Sequence, residues 1–306
     1  MNTLLTSLAN ANRDIEEQVN ALSINTVLIA TLILVVLLAV SAVVVKGNKH
    51  KKLKLPLFVL ISITIAIPSF LMIGSTVYVN LISESKGPVH WHTDIEFWVC
   101  DQEIELRDPY KFLSNKIGTS TYHEHDDKRI HLEGVVIEKE YDASLEKFMD
   151  VIEGSISPTD LVIPTDDDLF ENDTDGDQAT GDQELVRNFL TRNDEGRAEI
   201  TVSNGMDCGD GQAAEVQAFL LRYNDGEDSY TQTKLEDPRR YIMRDESIVP
   251  PGDCVIVEFN TPREASERLC QQYGVRDVER CTEFGVSEFN PELCNLRQIV
   301  ETGGTN

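Results

Sequence analysis

The first 99 residues of this 306-residue chain contain no cysteine, and two long stretches within them contain no charge at all. The chain has no Cys-x-x-Cys, no Gly-x-Ser-x-Gly and no glycine-rich phosphate loop with its lysine. Thioredoxin-type redox chemistry, the hydrolase nucleophile elbow and P-loop nucleotide binding are therefore without support. No Ser–His–Asp order stands out either. Basic residues are scarce beyond residue 82, where 21 Lys and Arg face 50 Asp and Glu, a net charge of −29. Such a region repels nucleic acid and anionic lipid surfaces and attracts cations.

The two charge-free runs are residues 24–45 and 55–82. Each exceeds the roughly 20 residues needed to cross a bilayer, and core helices of that length rarely lack a charged face. The spacing predicts a two-helix transmembrane hairpin. Its loop, residues 46–54, holds Lys46, Lys49, Lys51, Lys52 and Lys54 with no acid, and short lysine-rich loops stay cytoplasmic. The tail 1–23 carries Arg13 against Asp14, Glu16 and Glu17, so it can cross. Those 23 mostly polar residues also make the first run unlike a cleaved signal peptide. Pro68 and Gly74 are tolerable within a membrane helix. The expectation is a two-pass protein of the cell membrane, integral to it, with residues 83–306 extracytoplasmic. No protein partner is indicated.

All six cysteines, Cys100, Cys208, Cys254, Cys270, Cys281 and Cys294, fall in that outer region. An even number in an oxidising compartment predicts disulfides. Cys208 with Cys254 is the first expectation, because both border strands, and at least one bridge should involve the tail cysteines.

Residues 83–260 read as a mainly β domain with few helices. HWHTDIEFWV, EIEL, RIHLEGVVIEKE, AEITV, VQAFLLRY and CVIVEF are strand-like, with SNKIGTSTYHEHDDK as a loop and a hairpin turn in RYNDGEDSY. Leu145, Phe148, Met149 and Ile152 share one face of a helix expected at 143–153, capped by Asp142 and ended by Gly154. QELVRNFLTR reads as a short helix. Thr261, Pro262 and Glu264 predict the start of another, PREASERLCQQYG, in a cysteine-containing helical tail, 261–306. The fold class is α+β: the transmembrane hairpin, the mainly β extracytoplasmic domain and the helical tail.

Five of the six histidines lie within 42 residues: His90, His92, His123, His125 and His131. In a strand, His90, His92, Asp94 and Glu96 share one face and Ile95, Phe97 and Val99 the other. Likewise His131 and Glu133 oppose Ile130 and Leu132. Three converging motifs would supply imidazoles and the Glu133 carboxylate to a transition-metal ion. Zn²⁺ or Cu²⁺ suits this donor set best, and Mn, Fe or Ni also fit; no Cys or Met is present to select Cu(I). Asp94, Glu96, Asp126 and Asp127 could orient the imidazoles. The competing reading is a set of surface or structural histidines hydrogen-bonded to local acids.

The pattern His-x-His on a strand, then His-x-His-Asp, then Ile-His-x-Glu, directly after a hydrophobic helix, resembles a group of uncharacterised membrane-anchored bacterial and archaeal proteins. The matching residues are His90, His92, His123, His125, Asp126, His131 and Glu133, and LEDPRRYIMRDESIVPPGDCVIVEF resembles the second half of that domain. The resemblance spans roughly residues 70–260 and implies a domain type, not a reaction. His90-x-His92-x-x-x-Glu96 also has the spacing of the first cupin motif, without its flanking glycines.

Glu171, Asp173, Asp175 and Asp182, with Gly176, approximate a calcium loop, the alternative being a solvated acidic loop. The chain therefore reads as a membrane-anchored, extracytoplasmic metal binder serving capture, delivery, sensing or structure. A metal-free cell-surface module and a cupin-like metalloenzyme are the alternatives. Nothing identifies catalytic residues, and enzyme activity would need an open metal position.

Overall fold

The computed structural model describes residues 15–44, 51–110, 114–166, 186–224, 229–245 and 253–271. These form two compact units: residues 1–88 with 135–138, and residues 89–134 with 139–306.

The first unit is built on two long helices, α1 (Ile15–Val44) and α2 (Lys51–Ile82). Helix α1 begins within the stretch expected as a tail, because Ile15–Ser23 contains no proline or glycine to stop it. Both helices are long and apolar enough to cross a membrane. Their apolar side chains are exposed: Val43 is 77%, Phe70 75% and Leu81 71% accessible. The polar side chains are satisfied locally. Thr26, Thr31, Thr64, Ser69 and Thr76 donate to the carbonyl four residues back, and Ser23 and Ser75 meet across the helices at 3.3 Å.

The second unit holds most of the β structure. Its strands are β1 (Pro88–Val99), β2 (Gln102–Ile104), β3 (Ile117–Gly118), β4 (Tyr122–Glu124), β5 (Arg129–Val135), β6 (Ser155–Ile156), β7 (Asp160–Pro164), β8 (Leu190–Arg192), β9 (Ala198–Ser203), β10 (Glu215–Asn224), β11 (Ser229–Leu235) and β12 (Asp253–Asn260). The large sheet has the order β11-β10-β12-β1-β5-β4-β3, with β2 on β1, and the small one is β6-β7-β9-β8. Strands β1 and β12 are parallel, pairing Asp94 with Cys254 and Val99 with Phe259. The stretch read as a loop before Arg129 contains β3 and β4, because it folds back on β5 and buries Tyr122.

One face of the large sheet carries Ile95, Phe97, Val99, Val255, Val257 and Phe259, all essentially buried. Two short helices follow β5: α3 (Lys139–Asp142) and α4 (Leu145–Val151). Asp142 ends α3, so the N-cap of α4 is Ser144, whose Oγ accepts the Lys147 N–H. Leu145, Phe148, Met149 and Ile152 are fully buried, and Phe148 meets Tyr122 edge-on at 5.6 Å. Phe189 packs against Phe259 and brings the small sheet to the same face. Leu190–Arg192 is strand and not helix, held by pairing with β9.

The opposite face, which alternation assigns to His90, His92, Asp94 and Glu96, is buried along β10 and β12. Residues 261–271 cross it as an irregular segment without helix. Side chains of the sheet satisfy its backbone in place of a helical ladder. Gln232 exchanges two bonds with Ser266, Gln217 accepts the Arg263 N–H, and Lys234 donates to the Arg263 carbonyl. Arg268 lies 3.7 Å from the Trp98 ring centre, and Cys270 joins Cys254 beside Phe219, Leu221 and Ile256.

The second bridge joins Cys100 to Cys208, which corrects the expected Cys208–Cys254 pair. The Cys100 N–H donates to the Phe259 carbonyl, and the Cys208 sulfur stands 4.0 Å from the same oxygen. Cys254 lies five residues earlier on β12, about 17 Å away along a strand, far beyond disulfide reach. Cys281 and Cys294 lie outside the described residues, as do Glu171, Asp173, Asp175 and Asp182.

Candidate metal centre

The order β1-β5-β4 sets the site. Strand β5 turns His131 and Glu133 to the same face, with β1 supplying His90 and His92 on one side and β4 supplying His123 on the other. His123 is opposite His131 in register, and His125 follows β4 directly. The turn back to β5 is held by Glu124, whose Oε1 accepts the N–H groups of Asp127 and Lys128 at 2.6 and 2.9 Å. Asp126 sits in that turn at φ 64°. At the other edge of β4, Gly118 adopts φ 105°, and a Cβ there would stand 2.5 Å from the Tyr122 carbonyl oxygen and 3.1 Å from the Cα of His123.

All five histidines come together. Ring contacts run from His90 to His92 (4.5 Å), His92 to His131 (4.7 Å), and His131 to His125 (4.8 Å) and His123 (5.5 Å). Two groups can each hold an ion, His90–His92–His131 and His123–His125–His131, their donor atoms lying within 4.8 Å of one another. Glu133 reaches both: Oε1 is 3.0 Å from His90 Nε2 and Oε2 is 3.9 Å from His123 Nε2. The centre is half open. His123 and His131 are buried, whereas the His90 and Glu133 side chains are 45% and 39% exposed.

Hydrogen-bond chemistry assigns the tautomers. His125 Nδ1 donates to the Asn115 carbonyl at 3.1 Å, an acceptor only, so its Nε2 carries the lone pair. Lys116 Nζ, a donor only, lies 3.4 Å from His123 Nε2, whose lone pair in the Nδ1–H form accepts from it. These two Nε2 atoms face each other at 3.1 Å. His131 Nε2 donates to Asp127 Oδ2 at 3.1 Å, leaving its Nδ1 lone pair buried with no hydrogen-bond partner among the described residues.

Charge follows the same pattern. Burial, with the neighbouring His131 and His90, pushes His92 down to about 3. Burial, the Lys116 ammonium and His125 push His123 down to about 3. Both are neutral near pH 7, the form that binds metal. Burial works to raise the Asp127 carboxyl, but the hydrogen bond from His131 and the charge of Arg129 hold it below the usual carboxylate range. Burial pushes Glu124 up to about 7.

The chain was compared with protein-family models, with curated proteins and with solved structures. It matches none.

The expected orienting acids divide. Asp127 holds His131. Asp94 instead pairs with the fully buried Arg129 at 2.8 Å. Glu96 accepts the Gln271 N–H at 2.5 Å and the Trp98 indole N–H at 3.1 Å. Its carboxylate is thereby committed to the 261–271 segment, so the cupin-like set His90–His92–Glu96 does not form. Arg129, Lys116 and the Asn115 carbonyl were missed from sequence. Arg129 was legible in principle, since it lies two residues before His131 and shares its face.

Proposed function

We propose that this is a membrane-anchored protein whose second unit lies outside the cytoplasm and binds a divalent transition-metal ion, Zn²⁺ or Cu²⁺, through the histidine cluster. The observation carrying this reading is the approach of His123 Nε2 and His125 Nε2 to 3.1 Å. Two lone pairs at that distance repel unless a cation lies between them. Ligands on one tetrahedral zinc, with bonds of about 2.0–2.1 Å, stand about 3.3 Å apart. The unpartnered Nδ1 of His131 adds a donor whose burial is otherwise costly.

Metal capture or delivery is the role favoured by the half-open rim, because ions can exchange past His90 and Glu133. The resemblance to membrane-anchored proteins with the same histidine spacing is in keeping with this reading. Two apolar helices, a lysine-rich connection between them and disulfides in the second unit support the topology.

Elemental analysis of the full chain, purified in detergent without a histidine tag or chelators, tests the metal. Stoichiometric Zn or Cu is expected; none bound would leave the cluster structural. Impermeant thiol labelling tests the topology. A cysteine at Asn48 should be protected in intact cells, and its labelling would reverse the orientation.

A further inference from the structure

Resting on the metal-binding reading, we propose that the cluster is a two-ion site bridged by the Glu133 carboxylate. The first argument is donor number. A tetrahedral ion takes four ligands, yet five imidazoles and the two oxygens of Glu133 converge here. One ion would leave donors of the same cluster uncoordinated.

The second argument is sheet geometry. Strands β1 and β4 flank β5, so their backbones stand about 10 Å apart, two interstrand spacings. His90 and His92 approach from one side, His123 and His125 from the other, and the chain of ring contacts between the pairs passes through His131. The two groups are thus half-sites that meet at His131 on the central strand.

The third argument is Glu133 itself. Its two oxygens point to different half-sites, Oε1 to His90 Nε2 at 3.0 Å and Oε2 to His123 Nε2 at 3.9 Å. The first distance is close to that between two ligands of one tetrahedral ion, and the second is somewhat longer. A carboxylate placed in this way binds one ion through each oxygen. Two-metal sites of this kind hold their ions roughly 3.5–4 Å apart. His131 stands at the junction, its ring fixed by Asp127 and its buried Nδ1 lone pair available to an ion. The occupants are divalent transition ions of the imidazole-binding class, Zn²⁺ or Cu²⁺.

The test loads the full chain in detergent with Cu²⁺, removes excess by dialysis, and measures bound copper together with the integrated electron paramagnetic resonance signal. Two ions per chain are expected, with a signal well below two spins because the bridged ions couple. His90→Ala and His125→Ala, each at a more exposed donor, should each reduce copper to one per chain and restore one full spin. Circular dichroism of both variants checks that the sheet is retained. One copper per chain in the wild type, abolished by either substitution, would overturn the two-ion site and leave the single-ion reading standing. Two coppers with full signal would overturn the Glu133 bridge. No bound copper or zinc would defeat both readings.

Discussion

Arg129 and Asp94 form an ion pair at 2.8 Å with both side chains out of contact with water, each two residues along its strand from a histidine of the cluster. Strands β5 and β1 meet there with their imidazoles one step further along, so the pair fixes how the two strands stand. Burial pushes the Asp94 carboxyl up, against the pull of the guanidinium. Breaking such a pair from one side leaves a buried charge. Arg129→Met should therefore cost about 3–5 kcal/mol, read as a lower urea midpoint. The double variant Asp94→Leu with Arg129→Met should recover most of that loss. A double variant whose loss equals the sum of the two single losses would show that the two residues act independently.

Protons should destabilise the metal-free protein through His123. Its folded pKa is lowered to about 3 from 6.5, so between these values the unfolded chain binds a proton that the folded chain does not. Stability then rises with pH, and is lost as pH falls from about 6.5 toward 3. The slope from one such group is at most about 1.4 kcal/mol per pH unit. His123→Gln should flatten the fall by up to that amount between pH 6 and 4, measured with chelator present. Glu124, raised to about 7, acts in the opposite sense, which is why the difference between the two proteins is the quantity to measure. Equal slopes would refute the assignment.

Gly118 holds β4 against its turn. A side chain at φ 105° is strained, and a Cβ there would collide with the Tyr122 carbonyl. Gly118→Ala should cost about 1–3 kcal/mol and displace His123, lowering bound metal along with the unfolding midpoint. Unchanged metal content together with unchanged stability would remove Gly118 from the account.

The two disulfides close loops of different length, 108 residues for Cys100–Cys208 and 16 for Cys254–Cys270. Chain-entropy arguments assign about 4.7 and 3 kcal/mol to loops of these sizes. The paired serine variants should order themselves accordingly in urea unfolding. Removing Cys254–Cys270 should also expose Trp98, since residues 261–271 lie over it, and a red-shifted fluorescence maximum would report this. Non-reducing peptide mapping that recovered a Cys208–Cys254 peptide would contradict both pairings.

Much of the architecture is legible in the amino-acid sequence. Two charge-free runs longer than a bilayer is thick can hardly be anything but long apolar helices, because charge is what a soluble helix needs on its outer face. Period-two alternation puts His90 with His92, and His131 with Glu133, since a strand sends alternate side chains to one side whatever surrounds it. The face of α4, with Leu145, Phe148, Met149 and Ile152, follows from helical spacing in the same way. These are local consequences of backbone geometry.

What the tertiary structure alone decided is everything that depends on which strand lies beside which. Only the order β1-β5-β4 brings three histidine motifs to one place, and only the parallel pairing of β1 with β12 separates Cys254 from Cys208. Local signals also misled where long-range partners outcompete them. Thr261, Pro262 and Glu264 are a sound helix start, yet Gln217, Gln232, Lys234 and Cys254 capture the segment that follows. Asp94 and Glu96 share a face with His90 and His92, yet Arg129 and the backbone of Gln271 claim their carboxylates. Side-chain direction is written into the strand, but the partner a side chain meets is set by residues far away in the chain, and that pairing emerges only when the sheet closes.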